Sequence, residues 1–161
     1  MGTGDNLNGA RGGNECMNNC GLAEGTNTAT LKTVAGNGTT DTEYTIDGQL
    51  YTKDDTDNIA MTALGVQAIV TSVLYLCTLT SAGVLAIQKG NEELTADVTS
   101  GKEHLEWPEG ADDVCAIGGF RVDTNTITFT SGTTDLAAIG SDSGTVTYFD
   151  FNRVPAAPVT S

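Results

Sequence analysis

Side chains able to do chemistry are few in this sequence, and their spacing is thin evidence for catalysis. There are four cysteines, Cys16, Cys20, Cys77 and Cys115, and one histidine, His104. A Cys/His zinc site needs four ligands, usually supplied as two closely spaced pairs. Cys16 and Cys20 make a Cys-x-x-x-Cys pair with no second pair nearby. They lie in a polar stretch, whereas Cys77 and Cys115 lie in apolar ones. The plain reading is four reduced thiols in a protein made in cytosol. A Cys16–Cys20 disulfide and a bridge between subunits are the alternatives. His104, in Glu103-His104-Leu105-Glu106-Trp107, would have to carry any Ser-His-Asp or Cys-His mechanism alone, and reads as a surface or strand-edge residue. There is no Gly-x-Ser-x-Gly elbow, no phosphate-cradling Gly loop with its Lys, and no His-Glu-x-x-His pattern.

Carboxylates are plentiful, at 21 Asp and Glu. Chance pairs are therefore common, and no pair is marked out as a general acid and base. Asp54, Asp55, Asp57 and Asn58 could offer oxygens to calcium, but they lack the Gly and the distal Glu of an EF-hand loop. They read as a solvated acidic loop that keeps a strand edge from pairing, and Asp112-Asp113 reads the same way. The expectation is a protein with no catalytic residue, no metal and no cofactor.

The elements that would position these residues are short strands. Thr30–Val34 alternates apolar with polar, and Gly36-Asn37-Gly38 reads as a turn. Glu43–Ile46 and Gln49–Thr52 flank Asp47-Gly48, a two-residue hairpin turn whose central positions need positive φ. Ile59–Val70 fits a short helix or a strand. Val73–Thr80 and Val84–Gln88 form a second hairpin around Ser81-Ala82-Gly83. Gly90–Gly101 is a polar connection, and His104–Trp107 is a plausible strand ending at Pro108. Val114–Ile117 is a strand interrupted by Gly118-Gly119 and continued by Phe120–Asp123. Thr126–Thr130 alternates strictly, Leu136–Ile139 is an apolar patch, and Thr145–Phe151 is the last strand. In that strand Phe149 and Phe151 read as the core pair, with Tyr148 and Asp150 on the other face.

Turn signals every eight to twelve residues, with no long helical periodicity, indicate an all-β domain: a β-sandwich or small β-barrel. The 26 threonines suit it, because β-branched residues favour strands. Residues 1–28 differ, being Gly- and Asn-rich with almost no apolar periodicity. Such a segment buries too little surface to offset the entropy of ordering it. It is expected to be an extended N-terminal arm, ordered by docking on another subunit or a larger assembly, with packing on its own domain as the alternative. The division is then an arm over 1–28, a β domain over 29–152, and an extended Pro-rich tail over 153–161.

Composition narrows the partners. Seven basic residues face 21 acidic ones, for a net charge of −14. A nucleic-acid footprint needs clustered Lys and Arg, and an anionic membrane would repel this chain. The longest apolar stretch, Ile69–Leu79, is broken by Thr71, Ser72 and Thr78 and is far short of a bilayer span. The first twenty residues have no apolar core of a secretory signal. Asn6 stands where a myristoylation signal would carry Ser or Thr.

Several runs resemble a module of tailed-bacteriophage virion proteins. They are Thr42–Lys53 with Asp57-Asn58-Ile59-Ala60, Leu105-Glu106-Trp107-Pro108, Gly118–Asp123, Phe129–Leu136 and Tyr148-Phe149-Asp150-Phe151. The resemblance spans roughly residues 29–155 and rests on turns and strands, so it implies no catalytic residue. It implies a virion structural component such as a capsid decoration (cement) protein or head fibre. The expected role is binding the outside of a phage capsid, with the major capsid protein or other virion subunits as partners. The chain would be a homo-oligomer, with a trimer among the options, made in the host cytoplasm and ending on the capsid surface. The arm residues Asn6, Leu7, Arg11, Cys16, Met17, Cys20 and Leu22 are the expected partner contacts, for example by strand addition. A competing reading is a tail or head fibre, or adhesin module, for a host glycan or protein. It needs an exposed aromatic platform from Trp107, Tyr44 and Tyr51.

Overall fold

A computed structural model describes residues 13–34 and 41–152. The expected Gly36-Asn37-Gly38 turn and the 153–161 tail lie outside these. Ten strands occur among the described residues: β1 (Glu15–Cys16), β2 (Ala23–Glu24), β3 (Thr30–Thr33), β4 (Asp41–Ile46), β5 (Gln49–Asp54), β6 (Thr56–Ala60), β7 (Thr71–Thr80), β8 (Leu85–Leu94), β9 (Val114–Asp123) and β10 (Thr145–Asp150). Two short helices join them, α1 (Thr95–Thr99) and α2 (Leu136–Ser141). The strands form antiparallel sheets in the orders β1-β4-β5, β10-β9-β7-β8 and β2-β3-β6. The fold is all-β and sandwich-like, and the sheets do not close into a barrel.

The four-stranded sheet is the centre. In β7, nine of ten residues are buried, because the sheet is covered on both faces. Val73, Tyr75, Cys77 and Leu79 point into the main core, where the three sheets meet. Leu74 points the other way, into a smaller cluster with Val98 of α1, Leu105, Trp107 and Phe149. A strand buried on both faces reads as a continuous apolar run rather than an alternation. Tyr75 stacks on Phe120 at 5.0 Å and meets Phe129 edge-on at 5.4 Å, geometries that add to simple area burial.

The glycine pair in β9 does not interrupt the strand. Its register against β7 shifts between Cys77 and Thr78. This bulge changes which residues face the main core, from Cys115 and Ile117 to Phe120 and Val122. Gly118 and Gly119 serve close approach. A Cβ on Gly118 would lie 2.4 Å from the Phe149 carbonyl oxygen, and one on Gly119 would lie 2.3 Å from the Trp107 ring.

The Asp47-Gly48 hairpin forms as its sequence dictates, with φ of +51° and +78° at the turn and Ile46 paired to Gln49. Other segments depart from their pattern. Asp54–Asn58 is largely strand: β5 runs to Asp54, β6 begins at Thr56, and β6 pairs with β3. Much of the polar Gly90–Gly101 connection continues β8 and then forms α1. His104–Trp107 is not a strand; the Asn91 amide holds it, donating to the His104 carbonyl at 2.9 Å and accepting from Glu106 N–H at 2.8 Å. Thr126–Thr130 is not a strand either, because the Asp142 carboxylate takes the N–H groups of Thr126 and Ile127. Phe129 alone bridges, to Gln67. In β10 both faces are used: Tyr148 packs on the main core, and Phe149 on the smaller cluster with Trp107.

Candidate functional site

The residues expected to meet a partner begin in the N-terminal segment, and the structure redistributes them. Asn6, Leu7 and Arg11 lie outside the described residues. Residues 13–28 are not a free arm but a strap laid over the chain's own domain. Cys16, Cys20 and Leu22 are enclosed at 1%, 0% and 4% exposure. They cannot offer surface to a partner, which corrects that expectation. Met17, between them, is 54% exposed.

The strap lacks periodicity because backbone-like bonds from side chains hold it. The Asn18 amide accepts from Glu43 N–H and donates to the Asp41 carbonyl, both at 2.8 Å, extending the β4 ladder. The Asn14 amide accepts from Asp47 N–H at 2.9 Å and donates to the carbonyls of Asp112 and Val114. One oxygen of Asp150 accepts from Cys20 Sγ and from Leu22 N–H, each at 2.9 Å. Cys16 Sγ donates to the Asn18 carbonyl at 2.9 Å. Asparagine, usually counted as a turn former, here replaces a strand partner. The sequence signal was present in Asn14 and Asn18, four residues apart and alternating with Cys16 and Cys20.

All four thiols are free and buried. Burial raises the Cys16 thiol from its ordinary 9.0 to about 11 and the Cys115 thiol to about 12. Burial also raises Cys77, and burial together with its bond to Asp150 raises Cys20. They are packing groups and hydrogen-bond donors held in the protonated form, not nucleophiles. Among the described residues no group of three or more His, Cys, Asp or Glu is placed to hold a metal. Asp57 accepts from Thr26 Oγ1 and from Thr26 N–H, which lowers its pKa. It therefore closes the turn between β2 and β3 instead of forming part of a cation loop. His104 is exposed on the loop after α1.

The aromatic residues point inward. Tyr44 is fully enclosed and donates to the Thr80 carbonyl at 2.8 Å. Tyr51 stacks on it at 5.7 Å. Trp107 is half-buried, edge-on to Phe149 and Phe151. The large hydrophobic side chains that do face solvent are aliphatic or Met17. Val66, Ile69, Val70 and Leu94 are 60%, 48%, 46% and 54% exposed, with Leu94 paired to Thr71 beside Val70 at the end of the four-stranded sheet, and Leu50 and Val84 are each 59% exposed. Sequence reasoning missed this group, although Val66-Gln67-Ala68-Ile69-Val70 carries one polar residue inside an apolar run.

Among the described residues no helix is long and apolar enough to cross a membrane. No family model, curated protein or solved structure matches this chain.

Proposed function

We propose that the chain is a non-enzymatic virion structural protein that binds the outside of a bacteriophage capsid and stabilises it by bridging capsid subunits. The observation that carries this reading is the division between inside and outside. The thiols and most of the aromatic surface are used within the fold. The surface offers many carboxylates and a few aliphatic side chains, the chemistry of contact. The resemblance of Thr42–Lys53, Leu105–Pro108 and Gly118–Asp123 to virion modules points the same way. Many identical sites on a shell make weak single contacts sufficient through effective concentration. A fibre or adhesin reading for a host glycan has less support, since Tyr44 and Tyr51 stack within the domain and Trp107 packs on Phe149 and Phe151.

The test is co-sedimentation of purified protein with shells of the same phage's major capsid protein that lack it. The expected result is saturable binding at a fixed ratio to capsid subunits, with a rise in the temperature at which shells open. Absence of binding at physiological salt would overturn the reading.

A further inference from the structure

The smaller cluster on the four-stranded sheet ends in three aromatic rings. Trp107 lies edge-on to Phe149 at 5.6 Å and to Phe151 at 5.2 Å. All three are half-buried, so part of the cluster remains uncovered. The six-membered ring of the indole rests over Gly119, where a Cβ would fall 2.3 Å from Trp107 Cζ3. The N–H lies at the other end of the ring. Nε1 is enclosed and has no acceptor among the described residues. A buried indole N–H ordinarily finds one, and leaving a donor without an acceptor is costly.

The chain carries a segment suited to such a surface. Residues 153–161, outside the described residues, follow directly and hold Val154-Pro155-Ala156-Ala157-Pro158-Val159. Pro155 and Pro158 frame a Pro-x-x-Pro sequence. Such sequences favour the polyproline II conformation, whose carbonyls have no internal partner, and grooves lined with aromatic rings take them up. Reach is sufficient. Phe151 is itself one of the three rings, the backbone bends at Asn152, and Pro155 is four residues past Phe151, about 13 Å of extended chain at most. Charge agrees as well. The segment holds Arg153 and no acidic side chain. Glu106 and Glu109 flank Trp107-Pro108, are exposed, and form no ion pair among the described residues.

We propose that the cluster of Trp107, Phe149 and Phe151 is the docking site for the chain's own Pro155–Pro158 segment, which lies along the rings and offers a backbone carbonyl to Trp107 Nε1. The assignment is independent of the shell-binding reading.

Trp107 is the sole tryptophan, so one indole signal reports on the site. The experiment records the indole N–H resonance and its exchange with solvent in the full chain, in a variant ending at Asn152, and in the double variant Pro155→Ala, Pro158→Ala. Loss of the acceptor should move the resonance upfield and speed exchange about tenfold in the shortened chain, the scale of one hydrogen bond. The double variant should change in the same direction but less, because alanine loosens the polyproline conformation and keeps the carbonyls. Exchange of the β7 amides should stay as in the full chain, which separates the dock from a general loss of structure. If the β7 amides also accelerate in the shortened chain, the double variant decides. A synthetic peptide of residues 153–161 added to the shortened chain should restore the original resonance. An indole signal unchanged in both variants would overturn the proposal. So would indole protection that grows with protein concentration, which would assign the cluster to the tail of a second copy.

Discussion

The strand β7 and the buried Cys16, Cys20 and Leu22 of the strap are held by different physics. In β7 apolar side chains fill two cores, and the ladder bonds follow. The strap has only two-residue strands, and its position comes from Asn14, Asn18 and Asp150. Burial by packing spreads its stabilisation over many contacts. Burial by side-chain bonds concentrates it in a few atoms, each costly to remove. The centre should therefore respond to lost volume, and the strap to lost polar groups or a displaced backbone.

The largest effect should come from the centre. Phe120→Ala removes a ring packed against Tyr75, Phe129 and Tyr148. It should lower global stability by about 3–5 kcal/mol in urea unfolding. A loss below about 1 kcal/mol would contradict a packed centre. Gly21→Ala should act on the strap. Its φ is +59°, and a Cβ there would fall 1.8 Å from the Val34 carbonyl oxygen. The expected cost is about 1–3 kcal/mol, with faster labelling of Cys16 and Cys20 by a thiol reagent and no change at Cys77. Equal acceleration at Cys77 would mean that strap and centre open as one unit. Asn18→Ala removes two ladder-like bonds and should cost about 1–2 kcal/mol, again with Cys16 and Cys20 exposed first.

A further effect is alkaline. The Cys16 pKa is raised from 9.0 to about 11 by burial. Between these values the folded chain holds a proton that the unfolded chain has released. Stability therefore falls as pH rises through that window and is fully retained below it. Thermal melts across the window should show this decline, and Cys16→Ala should make it shallower. A decline of unchanged slope would assign it to other groups.

The all-β class was legible, and so were both hairpins, because their signals are local: Asp47-Gly48 demands a tight turn, and the apolar run of β7 needs a covered sheet. The failures occurred where a distant side chain replaced a strand. Thr126–Thr130 alternates as a strand should, but Asp142 takes its N–H groups. His104–Trp107 does too, but Asn91 holds it. The strap was hidden for the same reason, since composition counts asparagine as a loop former and cannot see which carbonyl its amide will meet. The exposure of Val66, Ile69 and Val70 was hidden because an apolar run with one glutamine reads as core, and only the fold shows that the glutamine is the residue turned inward.

The bond from Cys20 to Asp150 spans 130 residues of sequence, and it gives the fold an order in time. Contacts between neighbours in sequence form quickly, whereas long-range closures wait. On the ribosome, the strap emerges before β10 and cannot make its Asp150 bonds until β10 has been made. Until then its thiols are open to the solvent. The strap is thus made before the strand that locks it. Protection of Cys20 reports closure of the strap on β10 and can be timed by pulsed thiol labelling during refolding.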